Sequence, residues 1–361
     1  MITKEEAVVL WLDLFEGITL KRKYEVLQTY KKPSDIFELF KNDYSKFENF
    51  IDANLFQKMC YALDMNFINK QMIEYERIKI KVITYYSKEY PKLLKETATP
   101  PLILYCVGDT TLLNSECLAV VGTRRATRYG KRTTEQFVEK LASAGFTIVS
   151  GLADGIDTEA HRATLSVNGK TIAVLAGGVY EIYPYTNIGL AKEIREKGLL
   201  ISEHKPYDKP SNYDFPIRNR IIAGLSKGVL ITEAGIKSGS MHTKEYALEA
   251  NRDLFVVPGN IDSKESFGCN EMIKHLQGSM VTSADDILAF YKKDTKDIIK
   301  NKSLQLSFEE TLILKILENE EVHYDELLEK TNLDVKTLNS LLTVMQVRGI
   351  IKKLPGNLYS V

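Results

Sequence analysis

The sequence has no net charge and few of the signatures that mark common binding sites. Among its 361 residues, 48 lysines and arginines are balanced by 48 aspartates and glutamates. A protein that coats duplex DNA electrostatically usually carries a basic excess, so any nucleic-acid site here is expected to be a local patch. The four cysteines are scattered and include no Cys-x-x-Cys pair: Cys60, Cys106, Cys117 and Cys269. This pattern predicts neither a zinc site nor a disulfide framework, and it is typical of a reducing compartment.

Membrane and cofactor signatures are also missing. No apolar run approaches membrane-spanning length, and the first residues become charged at once, unlike those of a signal peptide. The chain lacks both the Gly-x-Gly-x-x-Gly fingerprint of dinucleotide-binding proteins and the Walker A lysine loop. We therefore expect a cytoplasmic protein without a membrane partner, a metal ion or a cofactor.

A long α/β segment lies between two helical ends. Residues 1–75 have apolar side chains at helical spacing and predict a small domain of sterile-alpha-motif or helix-hairpin-helix type. Within residues 76–290, short apolar runs alternate with helical segments, which predicts an extended Rossmann-like, doubly wound parallel sheet with strands at 118–121, 147–150, 171–175, 228–232 and 254–257. The runs at 80–86 and 102–107 are expected to add strands to that sheet. The predicted fold class is therefore α/β with a small helical N-terminal domain.

The C-terminal part of the sequence predicts a separate domain. Residues 291–303 form a polar linker with five lysines and two aspartates. Residues 304–361 follow the order helix, helix, helix and hairpin, which is typical of a winged helix. This segment holds six basic and nine acidic residues, a poor complement for phosphate groups. We expect it to serve a structural or protein-docking role rather than to bind duplex DNA.

A turn rich in positive charge begins at Gly122, directly after an apolar run. Five cations and no acidic residue lie between positions 122 and 132: Arg124, Arg125, Arg128, Lys131 and Arg132. Cations near a helix N-terminus interact unfavourably with the helix macrodipole, so a functional reason for the cluster is favoured over a solvated helix start. The turn therefore predicts an anion site at the end of a parallel strand, where ligands of such sheets bind.

Residues 215–225 combine an aromatic ring with two arginines. Arg218 and Arg220 flank Asn219, and Pro216 follows Phe215. Arginine presents a fork of donors that suits phosphate oxygens, and phenylalanine offers a face on which a nucleobase can stack. The combination predicts binding of single-stranded nucleic acid. The alternative is a surface helix with one buried ring and two solvated arginines.

Polar motifs follow one another in an ordered set along residues 90–290. They are Gly122-Thr123-Arg124, Ser150-Gly151, Gly177-Gly178, Tyr183-Pro184, Ser202-Glu203, Phe215-Pro216, Ser238-Gly239-Ser240, Val257-Pro258-Gly259 and Gly268-Cys269-Asn270. In this order and at this spacing they resemble the DprA/Smf family of bacterial DNA-processing proteins. The resemblance implies a single-stranded DNA-binding protein, not an enzyme. It also implies a homodimer that protects incoming DNA and helps load the RecA recombinase during natural transformation.

The resemblance further implies which residues contact DNA. Phe215 would stack bases, while Arg124 and the Gly-rich turns would hold phosphates. The full predicted set is Gly122, Thr123, Arg124, Arg125, Ser150, Gly151, Gly177, Gly178, Lys209, Phe215, Arg218, Asn219, Arg220, Ser238, Gly239, Ser240 and Thr243. Asp157 and His161 match a family motif and are expected to order a loop rather than to catalyse. At Asp154 the family commonly has another residue, often basic, which argues against a DNA contact there.

An enzymatic alternative would use the same strand ends. Residues 233–243 loosely resemble the plan of LOG-type phosphoribohydrolases, which have a Gly-rich turn and a following catalytic glutamate. The chain lacks their Pro-Gly-Gly-x-Gly-Thr run. Under this alternative the Gly-rich turn would hold a nucleotide phosphate. Turnover of nucleoside monophosphates would favour it, whereas tight oligonucleotide binding without turnover would favour the DNA-binding hypothesis.

Overall fold

The chain forms two compact units, Met1–Asp294 and Thr295–Val361. The structure, a computed structural model, describes residues 3–15, 18–29, 34–42, 44–61, 65–293, 307–317, 321–347, 350–354 and 356–360. Most of the predicted linker, positions 294–303, lies outside the described residues. Its first residues belong to the first unit, because the Tyr291 hydroxyl donates to Asp253 at 2.8 Å. No helix in these ranges combines the length and the hydrophobicity needed to cross a membrane.

The first unit begins with a small helical bundle, as the apolar spacing predicted. Its helices are α1 (Lys4–Leu14), α2 (Leu20–Thr29), α3 (Asp35–Asn42), α4 (Ala53–Tyr61) and α5 (Met65–Arg77). A capping box starts α1, in which Thr3 and Glu6 satisfy each other's backbone N–H groups. Trp11 is fully buried and donates to the Met59 carbonyl at 3.1 Å. One hydrophobic cluster continues from this bundle into the sheet, and a domain boundary near residue 75 stays a prediction.

A mixed sheet of nine strands, counted over the described residues, forms the centre of the first unit. The strands are β1 (Lys81–Thr84), β2 (Ile103–Gly108), β3 (Cys117–Val121), β4 (Thr147–Ser150), β5 (Thr171–Val174), β6 (Leu199–Ser202), β7 (Gly228–Ile231), β8 (Asp253–Val256) and β9 (Ser279–Met280). Their order is β1-β2-β6-β5-β4-β3-β7-β8-β9. The strands from β6 to β9 along this order are parallel, whereas β1 and β2 add antiparallel partners at one edge. This confirms the predicted extended, doubly wound fold.

Helices cover the sheet, and the chain reverses its direction of travel beside β3. The helices are α6 (Lys92–Lys95), α7 (Arg128–Ser143), α8 (Ile156–Ser166), α9 (Ile188–Lys197), α10 (Asp214–Leu225), α11 (Ser240–Glu249), α12 (Phe267–Lys274) and α13 (Ala284–Phe290). From β3 the chain winds outwards through β4, β5 and β6, then returns to β7 on the other side of β3. Ligands of open α/β sheets bind at such a switch point, beyond the carboxyl ends of the strands.

The second unit has its own hydrophobic core. It contains α14 (Phe308–Leu317), β10 (Val322–His323), α15 (Tyr324–Thr331), α16 (Val335–Val347), β11 (Lys352–Leu354) and β12 (Leu358–Ser360). The three strands pair antiparallel in the order β10-β12-β11. Ile313, Leu327 and Leu342 pack in the centre of this unit. Helices followed by a small hairpin confirm the predicted winged helix.

Candidate nucleic-acid interface

Two adjoining clefts open at the carboxyl ends of the central strands. Their empty volumes are about 440 Å³ and 920 Å³, with space open to solvent included. The smaller cleft is lined by Gly177 and Tyr183, and the larger by Asn219 and Thr243. Four residues line both clefts and therefore mark their boundary: Arg124, Ala153, Phe215 and Arg218. The structure thus brings together residues from sequence segments that lie far apart.

The boundary between the clefts is a cluster of one cation and three aromatic rings. The Arg124 guanidinium lies over the Phe215 ring, 5.1 Å from its centroid. The Tyr183 ring packs against Phe215 at 5.4 Å, and Tyr185 lies 6.2 Å beyond Tyr183. Both tyrosines are largely exposed, at 49% and 71%. In the sequence, Tyr183 stands out only as part of the Tyr183-Pro184 motif and Tyr185 does not stand out, because exposure and ring contacts are not visible in a linear sequence.

The Arg218 side chain lies in the floor of both clefts and does not extend into solvent. Its guanidinium donates to the Gly151 carbonyl at 2.7 Å and to the Val174 carbonyl, and the side chain is 5% exposed. A side chain on Gly151 would overlap this guanidinium, which explains the glycine there. Burial, opposed by the charge of Asp157 and assisted by that of Arg124, lowers the pKa of Arg218 to about 10. Arg218 therefore places a fixed positive charge beneath the clefts.

Asp157 orders the loop after β4, as predicted. Its carboxylate accepts the backbone N–H groups of Gly151 at 3.1 Å and Ala153 at 3.4 Å. Burial raises the pKa of this carboxyl, although Arg218 acts in the opposite direction. Asp154 is exposed and accepts a hydrogen bond from Thr186 at 3.2 Å. The carboxylate best placed for chemistry, Asp157, is therefore already occupied by backbone donors.

His161 lies deeper and bonds to a strand, not to the loop that it was expected to order. Its Nδ1 is 2.7 Å from the Thr171 hydroxyl, and its Nε2 has no partner among the described residues. Burial lowers the pKa of the imidazole to about 3, and the Arg218 charge adds to this effect. The ring is therefore neutral at physiological pH and serves the packing beneath the clefts.

The predicted phosphate contact at Arg220 is not supported by its position. Arg220 lies on another face of α10, where its guanidinium donates to the Thr99 carbonyl at 2.7 Å and pairs with Glu203. The side chain is buried and lines neither cleft. Arg220 thus fixes α10 against the adjoining loops, and it differs from the equally buried Arg218 in that Arg218 lines both clefts.

The five cations of the 122–132 turn are exposed, and a buried carboxylate lies beneath them. Glu233 is 1% exposed and accepts hydrogen bonds from the Thr127 N–H at 2.8 Å and the Thr127 hydroxyl at 2.6 Å. Thr127 is the N-cap of α7, and its side chain also accepts from the Gly130 N–H. The Glu233 carboxylate therefore lies at the N-terminus of α7. There it offsets the unfavourable interaction expected between the arginines and the helix macrodipole.

Several predicted contact residues have internal partners for their side chains. The Ser150 hydroxyl donates to the Val120 carbonyl at 2.7 Å, and the Thr123 hydroxyl donates to Glu265 at 2.7 Å. A side-chain carbon at Gly122 would lie 2.6 Å from the Glu233 carbonyl oxygen. These three residues shape the backbone at the ends of β3 and β4. Any DNA contact from them is confined to their backbone groups.

Gly177 and Gly178 allow the loop that carries Lys209 to approach the sheet. A side-chain carbon at Gly177 would lie 2.7 Å from Pro210, and one at Gly178 would overlap the Lys205 carbonyl. The Gly178 N–H donates to the Asp208 carbonyl at 2.8 Å. Lys209 itself is exposed. These glycines therefore serve close packing within the protein, while Gly177 also lines the smaller cleft.

The start of α11 forms the far wall of the larger cleft. The hydroxyl groups of Ser238 and Ser240 lie 2.8 Å apart, and the Asn219 amide donates to the Gly239 carbonyl at 3.3 Å. Thr243 is fully buried, and its hydroxyl has no partner among the described residues, although it lines the cleft. A buried hydroxyl without a partner is costly, so Thr243 is available to a ligand. In the described part of the chain, no cluster of three His, Cys, Asp or Glu side chains is arranged to hold a metal ion.

Comparison with known proteins agrees with the sequence pattern. The model of the family described as DNA recombination-mediator protein A matches residues 81–292, and the DprA winged helix domain matches residues 301–357. The DNA processing protein DprA of Bacillus subtilis is 42% identical over 215 residues, which cover 59% of this chain and 72% of the relative.

Two solved structures are also similar. DprA from Streptococcus pneumoniae has 33% identity and a TM-score of 0.68, and the match covers 80% of this chain and 98% of that chain. The DprA of Helicobacter pylori, described for its single-stranded DNA binding mode, has 34% identity and a TM-score of 0.55; the match covers 60% of this chain and 97% of that chain. The chain therefore belongs to the DprA/Smf family of DNA-processing proteins.

Proposed function

We propose that this protein binds single-stranded DNA along the rim of the two clefts. The observation that carries the proposal is the cluster at the boundary between them, in which Arg124 lies over the Phe215 ring and Tyr183 packs against that ring. Aromatic faces and guanidinium planes stack on bases of any sequence, and arginine also neutralises phosphates. Bases in a duplex are already stacked and paired, so such a site favours an unpaired strand.

Within this proposal the site residues have three kinds of role. Phe215, Tyr183 and Tyr185 stack bases, and Arg124 contacts both a base and the backbone. Arg125 and Lys209 add exposed charge beside the clefts. Arg218, Asn219 and Thr243, together with the backbone of Gly239 and Ser240, form the walls and floor that the strand contacts, and the Ser238 hydroxyl lies beside that of Ser240.

The family supports a role in natural transformation. The relative from Helicobacter pylori is described for single-stranded DNA binding. We propose that this chain likewise binds incoming single strands in the cytoplasm, protects them and helps load RecA, acting as a homodimer. Sedimentation of the purified protein tests the dimer, and the rate of RecA filament formation on DNA already coated by a single-strand-binding protein tests the loading activity. A monomer, or an unchanged rate, would contradict the corresponding part.

Binding without turnover is the second part of the proposal. Asp157, the buried carboxylate that lines the larger cleft, already accepts backbone hydrogen bonds, and Asp154, which lines the smaller cleft, accepts one from Thr186. A general base needs a free acceptor within reach of its substrate. We therefore expect no release of base or phosphate when nucleoside monophosphates are incubated with the protein. Turnover would instead favour the phosphoribohydrolase alternative.

A titration with labelled oligonucleotides tests the proposed function. We expect clear preference for single-stranded DNA over a blunt duplex of the same length, little dependence on sequence, and affinity that falls with salt. Equal affinity for the duplex would contradict the stacking model. Affinity without salt dependence would contradict the phosphate contacts.

A further inference from the structure

A second pair of stacked rings lies outside the two clefts. The rings of Tyr180 and Tyr207 are 5.5 Å apart with an interplanar angle of 27°. They line an open depression of about 710 Å³ together with Arg77, Ile78 and Lys79. Tyr207 is 61% exposed, so one face of this pair is open to a ligand. None of these five residues belongs to the set of DNA-contacting residues predicted from the sequence.

The depression is basic as well as aromatic. No acidic side chain lines it, and both Arg77 and Lys79 are exposed. A third cation, Arg195, acts on Tyr180. Burial and Tyr207 raise the pKa of the Tyr180 hydroxyl, and the positive charge of Arg195 partly offsets that shift. Acidic residues also stand near the depression: Glu74, Asp208, the exposed Glu76 that precedes Arg77, and Glu181, which follows Tyr180 and lines the smaller cleft. Glu74 pairs with Arg77 at 3.5 Å, but both side chains are more than half exposed, which makes the pair weak.

Asp208, the second acidic neighbour, is turned towards the backbone. Its carboxylate accepts the Lys205 N–H at 3.0 Å, within the loop that carries Tyr207. The Tyr180 hydroxyl donates to the Ile78 carbonyl, and the Tyr180 N–H donates to the Pro206 carbonyl at 2.9 Å. The platform is therefore assembled from three segments, which are fixed to one another by hydrogen bonds from Tyr180 to the backbone carbonyls of the other two.

This platform adjoins the first site through one short segment. Tyr180 and Tyr183 are three residues apart, so their backbones lie within about 11 Å of each other even if the segment is fully extended. Tyr183 packs against Phe215 at a tilted angle of 58° in the first site, and Tyr180 stacks on Tyr207 in the second. Pro210, on the same loop as Tyr207, lines the smaller cleft. A strand that leaves this cleft past Tyr183 meets the second platform next.

We propose that Tyr180, Tyr207, Arg77 and Lys79 form a second binding platform for the same single strand, beyond the nucleotides held in the clefts. Tyr207 stacks a base, and the two cations neutralise neighbouring phosphates. Stacked rings beside cations bind single strands without regard to sequence. This inference rests on the proposed function, since it needs a strand bound in the first site. A protein partner is the other occupant that such a surface could take.

The length dependence of binding separates the two sites. The probes are oligothymidylates from about 4 to about 16 nucleotides, the range that single-strand sites cover. The variants are Tyr207→Ala and the double variant Arg77→Ala/Lys79→Ala. The matched control is Lys170→Ala/Lys197→Ala, which removes the same charge from two exposed lysines at the opposite, amino-terminal edge of the parallel strands.

We expect the full-length wild type to gain affinity with length beyond the shortest probes. Tyr207→Ala should weaken binding of the longest oligonucleotide by about tenfold and leave the shortest nearly unchanged. The double variant should also lower the salt slope for the long probe by about 1.4, which corresponds to two phosphate contacts. The control should alter neither quantity, and circular dichroism should show all variants folded.

Each contrary result has a distinct meaning. If wild type binds no oligonucleotide, the proposed function itself fails. If it binds but the variants match wild type at every length, the platform does not bind DNA and the inference is overturned, as it would be if a protein occupied the surface. Equal losses for short and long probes would also overturn it, because they would place Tyr207 within the first site.

Discussion

At Arg124, charge and stacking act through one side chain. The guanidinium lies on the Phe215 ring, so neither residue can be removed without changing the surroundings of the other. Exposed cation–π contacts contribute about 0.5–1 kcal/mol, and more when desolvated by a ligand. From the sequence the two residues appear as independent contributors, one to phosphate binding and one to base stacking. Their contact in the structure makes them a coupled pair.

This coupling predicts non-additive losses of DNA affinity. Arg124→Ala should weaken binding and reduce the salt slope by about 0.7, the value for one single-strand phosphate contact. Phe215→Ala should cost about 1–3 kcal/mol with little change in slope. The double variant should differ from the sum of both by at least about 0.5 kcal/mol, the level above which residues are considered coupled. Fluorescence titrations of the four proteins measure all three quantities.

The matched control for this cycle is Arg128. It is an exposed arginine of the same turn that is not part of the Arg124–Phe215 contact. Arg128→Ala combined with Phe215→Ala should give additive losses. If the Arg124 cycle proved as additive as the Arg128 cycle, the stack would have no energetic meaning for binding.

His161 predicts a loss of stability in acid. The pKa of its buried imidazole is lowered to about 3, whereas the unfolded chain takes up the proton near 6.5. Between these values the unfolded state binds more protons, so the free energy of unfolding falls as pH decreases, by up to about 1.4 kcal/mol per pH unit. Urea unfolding of wild type and His161→Gln from pH 7 to pH 4 should show a shallower fall in the variant.

Two comparisons isolate this effect. His242→Gln makes the same substitution at an exposed histidine and serves as the matched control. Asp157 acts with the opposite sign, because burial raises the pKa of its carboxyl and stability from this group falls as pH rises. Its contribution is present in both wild type and His161→Gln, so it cancels in their difference. Parallel curves for these two proteins would show that His161 is not the group that titrates.

At the scale of elements, α10 connects the clefts to the rest of the fold. Phe215, Arg218 and Asn219 line the clefts, while Arg220 is held by Glu203 and the Thr99 carbonyl. Successive residues of an α-helix are about 100° apart, so Arg218 and Arg220 lie about 200° apart and face different sides. Phe215 and Arg218, three positions apart, share a face. The spacing of the two arginines in the sequence therefore indicated that only one of them could face the clefts.

Other features of the fold could be predicted to different degrees. Continuous apolar runs predicted β3, β4, β5, β7 and β8, because strands buried on both faces carry few polar residues. The similar apolar run of β6, Leu199–Ser202, was not predicted as a strand. Gly198, which ends α9 just before it, was a signal for a break between helix and strand. The order of the strands and the burial of Arg218 depend on tertiary contacts between distant segments. Neither the strand order nor this burial is encoded in a local sequence pattern. For this reason the charged Arg218 was expected at the surface.

The buried ion pair of α10 yields a prediction that separates a structural from a DNA-binding role. Glu203→Ala alone should lower the free energy of unfolding by about 3 kcal/mol or more, because it leaves a buried guanidinium without its carboxylate. The double variant Glu203→Gln/Arg220→Met removes both charges and should recover part of that loss. Urea unfolding measures both effects. In DNA titrations this double variant should keep the wild-type salt slope, whereas a fall of about 0.7 would restore Arg220 as a phosphate contact.

At the scale of the whole molecule, basic and acidic residues are equal in number but unevenly distributed along the chain. The exposed cations of the 122–132 turn lie in the first unit. The segment from 304 to 361 has six basic and nine acidic residues, and it has its own core around Ile313 and Leu342. Phosphate neutralisation dominates DNA affinity, which argues against the second unit as the main DNA-binding element. Separate cores also mean that the two units can be divided without exposing either interior.

We therefore predict that a chain ending at Lys293 folds and keeps most of its affinity for single-stranded DNA. The end is placed there because the Tyr291 hydroxyl bonds to Asp253 and Lys293 pairs with Glu116, so a shorter chain would break contacts within the first unit. A second chain ending at Ser303 retains the remaining lysines of the predicted linker and measures their weak, salt-sensitive contribution. Circular dichroism confirms folding, and oligonucleotide titration compares both with the full chain. If both fold and yet bind more than about tenfold more weakly, a loss of 1.4 kcal/mol, then the winged helix binds DNA despite its negative charge.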